Sequence, residues 1–167
     1  MQNAPGAGPL AAQVTASAAE LLAQLARGST DSWAEAAAVA AQAQLLHDRA
    51  APLGELASRA YEDAVTAVGG DQEVGMAYAR AAEPPLRIAE AAADVAALAA
   101  HVARNGNPSD RADAVVAGVL AAGSARAAAE LVAANLTAPA NDERVRRAQL
   151  LAEEAARTAE EARAARE

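Results

Sequence analysis

Three stretches of the chain hold residues whose types and spacing could do chemistry. The first is the loop Pro5-Gly6-Ala7-Gly8-Pro9, followed at once by helix-forming apolar residues. Small residues let a ligand approach the backbone closely. A helix starting here offers free N–H groups and a positive dipole end to an anion, although Pro9 supplies no N–H. The second is Tyr61-Glu62-Asp63, a phenol beside two carboxylates; on a helix such a pair is ordinarily a solvated face. The third is the turn from Arg104 to Asp113. Asn105 or Gly106 suits a helix C-cap, and Ser109 or Asp110 suits the next N-cap. That accounts for every residue except Asp113. One turn into its helix, Asp113 is expected on the side of Ala117 and Leu120, taken to face inward. An unpaired carboxylate is costly to bury, so one placed there is a candidate functional residue. Asn135, late in the same helix, reads on its own as a C-terminal cap residue.

The composition removes other chemistries. The chain has 167 residues and no Cys, which excludes disulfides, thiolate nucleophiles and Cys-ligated zinc. His47 and His101 have no second His at metal-ligand spacing, so no metal is expected. There is no nucleophile elbow, phosphate-binding P-loop or dinucleotide fingerprint. All fourteen basic residues are Arg and the net charge is −8. That balance argues against a nucleic-acid binder, which needs a basic face, but leaves room for a small anionic ligand held by local Arg. The N-terminus lacks a charged leader followed by an apolar run. The apolar stretch 89–103 is interrupted by Glu90, Asp94 and His101 and falls short of a bilayer span. A cytoplasmic protein with no membrane or nucleic-acid partner is expected.

The elements that must position these residues are helices. β-branched residues are few and never alternate with polar ones over a strand length. The expected fold is all-α: one domain over 1–167, a bundle of five to six helices, some kinked at Pro, packed as a homodimer. Alanine makes up roughly a third of the chain. An Ala core brings helix backbones close but buries little area per residue, so a subunit interface would help it. The first helix is expected from Pro9 to Arg27, with Leu10, Val14, Ala18, Leu21 and Leu25 inward. Ser32 with Glu35 fits a capping box for the second. Pro52 kinks or restarts that helix, and a third runs to Val68 before Gly69-Gly70. A fourth starts near Asp71 and must bend or break at Pro84-Pro85. Ile88, Val95, Leu98 and Val102 share one face beyond it. The helix from Ser109 to Leu136 is expected to carry Val116, Leu120, Ala127, Leu131 and Ala134 inward, with Pro139 separating it from the last. That last helix has a seam of Val145, Ala148, Ala152, Ala155, Ala159 and Ala162 at spacings of three and four. The seam reads as a packed Ala edge or as a dimer-forming arm.

Taken in order, these segments resemble the cyclodeaminase/cyclohydrolase family of folate enzymes. The resemblance rests on the loop Pro5–Ala12, on Tyr61–Ala67, on Pro85-Leu86 and Ala89, and on Gly106-Asn107 with Asp113, Val116 and Ala117. Asn135-Leu136 completes the order. No single motif is specific; their joint order carries the likeness.

The resemblance implies an all-helical homodimer with a folate site built from the N-terminal loop and inward polar residues. Its substrate would be a tetrahydrofolate derivative, with no metal or redox cofactor. In the deaminase reaction a folate nitrogen attacks the formimino carbon and ammonia leaves. In the hydrolase reaction water opens the methenyl bridge to give 10-formyltetrahydrofolate. Both need proton transfers around a tetrahedral carbon; Asp113 is the first candidate for that role or for holding the pterin ring, and Asp63 is the second. Gly6 and Gly8 would admit the ligand, with Asn107 and Asn135 as polar contacts. The family's basic stretch between the third and fourth helices is replaced here by Val68–Glu73, which has no base. Arg87, with Arg80 and Arg126, would then have to meet the anionic glutamate of a folate. The missing base, Pro9 and Ala112 also support an alternative: a catalytically inactive helical dimer on the same scaffold.

Overall fold

The computed structural model describes residues 6–67, 69–136 and 141–164; Pro5, Val68 and Pro139 lie outside them. Among the described residues there are seven α-helices, one 3₁₀ turn and no strand. They are α1 (Ala7–Gly28), α2 (Ala36–Ala50), α3 (Leu53–Thr66), α4 (Asp71–Ala81), α5 (Glu83–Asn105), α6 (Arg111–Ala134) and α7 (Glu143–Ala164), with the 3₁₀ turn at Pro108–Asp110.

The helices sort around α5, which buries fifteen residues, Ile88, Val95, Leu98 and Val102 among them, and leaves one stripe through Arg87, Asp94 and Arg104 exposed. Helices α6, α7, α1, α2 and α3 pack against it. The turn Gly106–Asp110 sends α6 back along α5. Helix α1 runs antiparallel to α6. Near its start, the Ser124 hydroxyl donates to Ala11 O at 2.6 Å, and near its end Asn107 N–H donates to Ser29 Oγ at 3.0 Å. Thr15 Oγ1 joins the first of these contacts, 2.8 Å from Ser124 Oγ. The two buried hydroxyls thus satisfy each other between α1 and α6.

Alanine decides how close these helices come. Gly118 of α6 sits where an added Cβ would lie 3.1 Å from Ala99 Cβ of α5. Gly8 of α1 would place a Cβ 2.9 Å from Ala57 Cβ of α3. Gly54 of α3 returns the contact, facing the backbone of Pro9 at 3.2 Å. These are backbone-to-backbone approaches that a larger side chain would prevent.

Several expectations about the elements change. Pro84 and Pro85 do not bend a helix; they occupy the first turn of α5, where a missing N–H costs nothing. Ser32 forms no capping box. Helix α2 begins only at Ala36, and Ser32 Oγ instead donates to Asn107 Oδ1 at 3.0 Å. Gly70 N–H is the donor met by a carboxylate three residues on, Glu73. Helix α1 turns its alanines and Leu22 inward, leaving Leu10 exposed and Val14, Leu21 and Leu25 half-buried. Helix α6 likewise buries Ala114, Val115, Ala117, Ala121, Ala125 and Val132, with Val116, Leu120 and Ala127 exposed. The reason is the same in both: where backbones approach closely, Ala fits the contact line and larger residues move to its flanks. Among the described residues, Pro108–Ala134 is long and apolar enough to cross a membrane, with mean hydropathy 1.5 over 18 residues, half of them buried.

Helix α7 follows its expected seam. Val145, Ala148, Ala152, Ala155, Ala159 and Ala162 are all buried, against α5 and α6 of the same chain. The seam is therefore a packed edge, not a dimer-forming arm. Its charges pair both across to other elements and along the helix. Arg147 meets Glu90 of α5 at 2.8 Å, and Arg157 meets Glu161. Arg144 forks onto Asp142 at 2.8 Å and reaches Ala79 O at 2.9 Å and Glu83 at 3.2 Å. This ties the start of α7 to the α4–α5 junction.

Candidate functional site

A cavity of about 840 Å³ opens where the start of α1, the faces of α3 and α4, the first turn of α5 and the end of α6 converge. Its floor is apolar: Ala57, Ala81, Pro85 and Leu131. Polar groups converge from three elements: Ser58, Tyr61, Glu62 and Thr66 from α3, Tyr78 from α4, and Asn135 from the end of α6. The volume falls within the range of small-molecule sites, and an apolar wall with few polar groups is their usual make-up.

The start of α1 supplies the cavity's positive end. Gly6 is the N-cap in extended backbone, and the first turn carries no acidic residue. Leu10 N–H bonds back to Gly6 O at 3.3 Å, and Pro9 has no N–H. Ala7 and Gly8 are thus the donors the helix end can offer. Gly6 lies in the cavity with space around its missing side chain, the nearest atom to an added Cβ being 3.8 Å away. Gly8 also lines the cavity, but it is a glycine because α3 comes so close. Asn135 commits its amide N–H to Ala81 O at 3.0 Å. That bond fixes the end of α6 to the end of α4 and makes Asn135 both a cap and a wall residue.

The remaining expected residues lie elsewhere. Asp63 is exposed and lies outside the cavity lining, while its neighbour Glu62 is part of it. One residue along a helix is a rotation of about 100°. Arg87 is exposed on α5 outside the lining. Asp113 is exposed rather than inward, on the same outer side as Val116 and Leu120. Asn107 is a structural anchor at the far end of α6. Its N–H donates to Ser29 Oγ, its side-chain amide to Gly28 O at 2.9 Å, and its Oδ1 accepts from Ser32. One chain therefore gathers Gly6, Gly8 and Asn135 and leaves Asn107 and Asp113 at the opposite end. Ser58 and Tyr78 are lining residues that no motif marked, since a lone hydroxyl on a helix has no spacing signal.

Among the described residues no group of three His, Asp or Glu could hold a metal ion. His47 lies beside Asp48 at 3.0 Å. His101 rests on Trp33, ring centroids 5.2 Å apart.

A family model described as formiminotransferase-cyclodeaminase matches residues 1–156. The chain belongs to that family. A crystal structure of formiminotetrahydrofolate cyclodeaminase from Thermotoga maritima superimposes with a TM-score of 0.87. That match covers 96% of this chain and 87% of the other at 16% identity, which establishes the shared fold. No curated protein matches the sequence. The family's all-helical fold, inferred above from motif order, is thus the fold of this chain.

Proposed function

We propose that the cavity at the start of α1 binds a tetrahydrofolate derivative. On this reading the protein is a folate-dependent one-carbon enzyme of the cyclodeaminase or cyclohydrolase type, working as a homodimer. The observation that carries the reading is the coincidence of the family match with this cavity. The family's glycine loop, here Gly6-Ala7-Gly8, forms one wall of it.

The chemistry of the lining suits such a ligand. Tyr61 and Tyr78 offer aromatic faces to a flat heterocycle. Glu62 offers acceptors to the N–H edge of a pterin and is the carboxylate nearest the convergence of polar groups. The α1 N-terminus offers N–H groups to a carbonyl or carboxylate. In deamination, the attacking folate nitrogen loses a proton and the departing amine gains one. In hydrolysis, water loses a proton as it adds to the bridge carbon. A carboxylate beside a phenol can relay those protons. Glu62 takes this role in our reading.

The test is direct. Methenyltetrahydrofolate mixed with the protein should lose its near-ultraviolet absorbance faster than the spontaneous rate. Formiminotetrahydrofolate should release ammonia if deamination is the reaction. Neither acceleration, with intact fold, would overturn the catalytic reading. A second reading, a non-catalytic folate-binding scaffold, is favoured by one observation: no Arg lines the cavity among the described residues. Saturable tetrahydrofolate binding without turnover of either substrate would establish it.

A further inference from the structure

Glu62 is the one charged residue that lines the cavity among the described residues. Helix α3 presents it there with Ser58 and Thr66, four residues to either side, so the three share one face. The Thr66 hydroxyl is committed to Glu62 O at 2.8 Å. The Glu62 carboxylate has no ion-pair partner among the described residues: Arg59, three residues earlier, turns back to Glu55 instead. Acid before base at a spacing of four is the order a helix favours. Arg144 reaches the end of α4 at Ala79 O, but Asp142 and Glu83 hold it there.

A lone carboxylate in a cavity without a base sorts ligands by charge. Its pull on a cation is weak while water surrounds both. It grows when a ligand covers it against the apolar floor of Ala57, Ala81, Pro85 and Leu131. An anion in the same place is repelled, with no Arg in the lining to offset this. The folate forms named above differ in charge at the one-carbon unit. A methenyl bridge joins two nitrogens through one carbon as N–CH=N⁺, an amidinium cation. A formimino group is an amidine, protonated at neutral pH. A formyl group is an amide and neutral. The glutamate tail is an anion in all of them.

We infer that Glu62 determines specificity by charge: it is the counter-ion of a cationic one-carbon unit, while the glutamate tail stays in water. This rests on the folate reading above and names the form of folate the site takes. The pairing lasts through deamination. There the second folate nitrogen closes the ring, its proton leaves with the amine as ammonia, and the methenyl cation remains. The pairing ends on hydrolysis. Water adds to the methenyl carbon, one C–N bond breaks, a proton leaves and a neutral formamide remains. Glu62 then has no cation to hold, which favours release of the formyl product.

The experiment compares two dissociation constants in wild type and in Glu62→Gln, with circular dichroism as the folding control. One is for methenyltetrahydrofolate, taken by rapid mixing before its bridge opens. The other is for 5-formyltetrahydrofolate. Glu62 is exposed, so the variant should keep its fold. Wild type should hold the cation about tenfold or more tightly than the neutral form. Glu62→Gln should bind the two alike, with its affinity for the formyl compound unchanged. Lengthening the tail to a triglutamate should tighten binding of neither. Equal affinities in wild type, a preference that survives in Glu62→Gln, or a longer tail that tightens binding would each overturn this assignment while leaving the folate reading. A folded wild type that binds neither compound would overturn both.

Discussion

Gly6 and Gly8 stand two residues apart and do different work. Gly8 is pressed against Ala57 by the approach of α1 to α3; Gly6 faces open cavity. Gly8→Val should therefore cost about 1–3 kcal/mol by overpacking, and Gly6→Ala no more than about 1 kcal/mol, the N-cap difference between the two residues. Urea denaturation of the two variants checks this contrast. Glu62 and Asp63 form a second such pair. Glu62→Gln should lower turnover by about 100-fold or more if it moves protons, while Asp63→Asn should stay near wild type; steady-state rates on methenyltetrahydrofolate separate them. Asp142 gives a third residue-scale prediction. The side-chain and backbone hydrogen bonds of Arg144 lower its pKa from 3.8 to about 2. A carboxyl with a depressed folded pKa contributes stability that is complete above the unfolded value of 3.8. That contribution is lost as pH falls through about 2. Asp142→Asn should flatten the acid limb of stability against pH over that window, as thermal unfolding from pH 5 to pH 2 would show.

At the scale of elements, what the sequence discloses depends on how many sides of a helix are apolar. Helix α7 is polar on one side, so its alanine seam is readable and the structure buries those six residues. Helices α1 and α6 are apolar on two sides, and there the larger residues mislead. Leu10, Val116 and Leu120 look like core by size, but the contact line belongs to Ala. Asp113 reads as inward for the same reason, because it shares a side of α6 with Leu120, which is exposed. Pro84-Pro85 reads as a break, and whether it ends one helix or begins the next depends on the Asn135 and Arg144 ties that no local pattern contains. Motif order grouped Gly6, Gly8 and Asn135, and all three line the cavity; Ser58 and Tyr78 carried no such signal, since tertiary packing alone brings them there. The tightness of the Ala seams has its own test. Ala155→Leu, fully buried on α7, should destabilise by about 1–3 kcal/mol. Leu150→Ala, exposed on the same helix, should change stability by less than about 0.5 kcal/mol. Chemical denaturation midpoints of the two variants decide it.

The whole molecule divides its labour between two ends of α6. One end closes the cavity with Leu131, Ala134 and Asn135. The other holds Asn107 in a network that locks the α5–α6 turn onto α1. If the cavity takes a folate, binding must depend on the open space beside α3. The most direct measurement is a calorimetric titration of tetrahydrofolate into the wild-type protein and into Ser58→Trp, which fills the cavity from its α3 wall. The account predicts saturable binding by wild type and its loss in a folded Ser58→Trp. Binding undiminished by the tryptophan, or no binding by wild type, would contradict it.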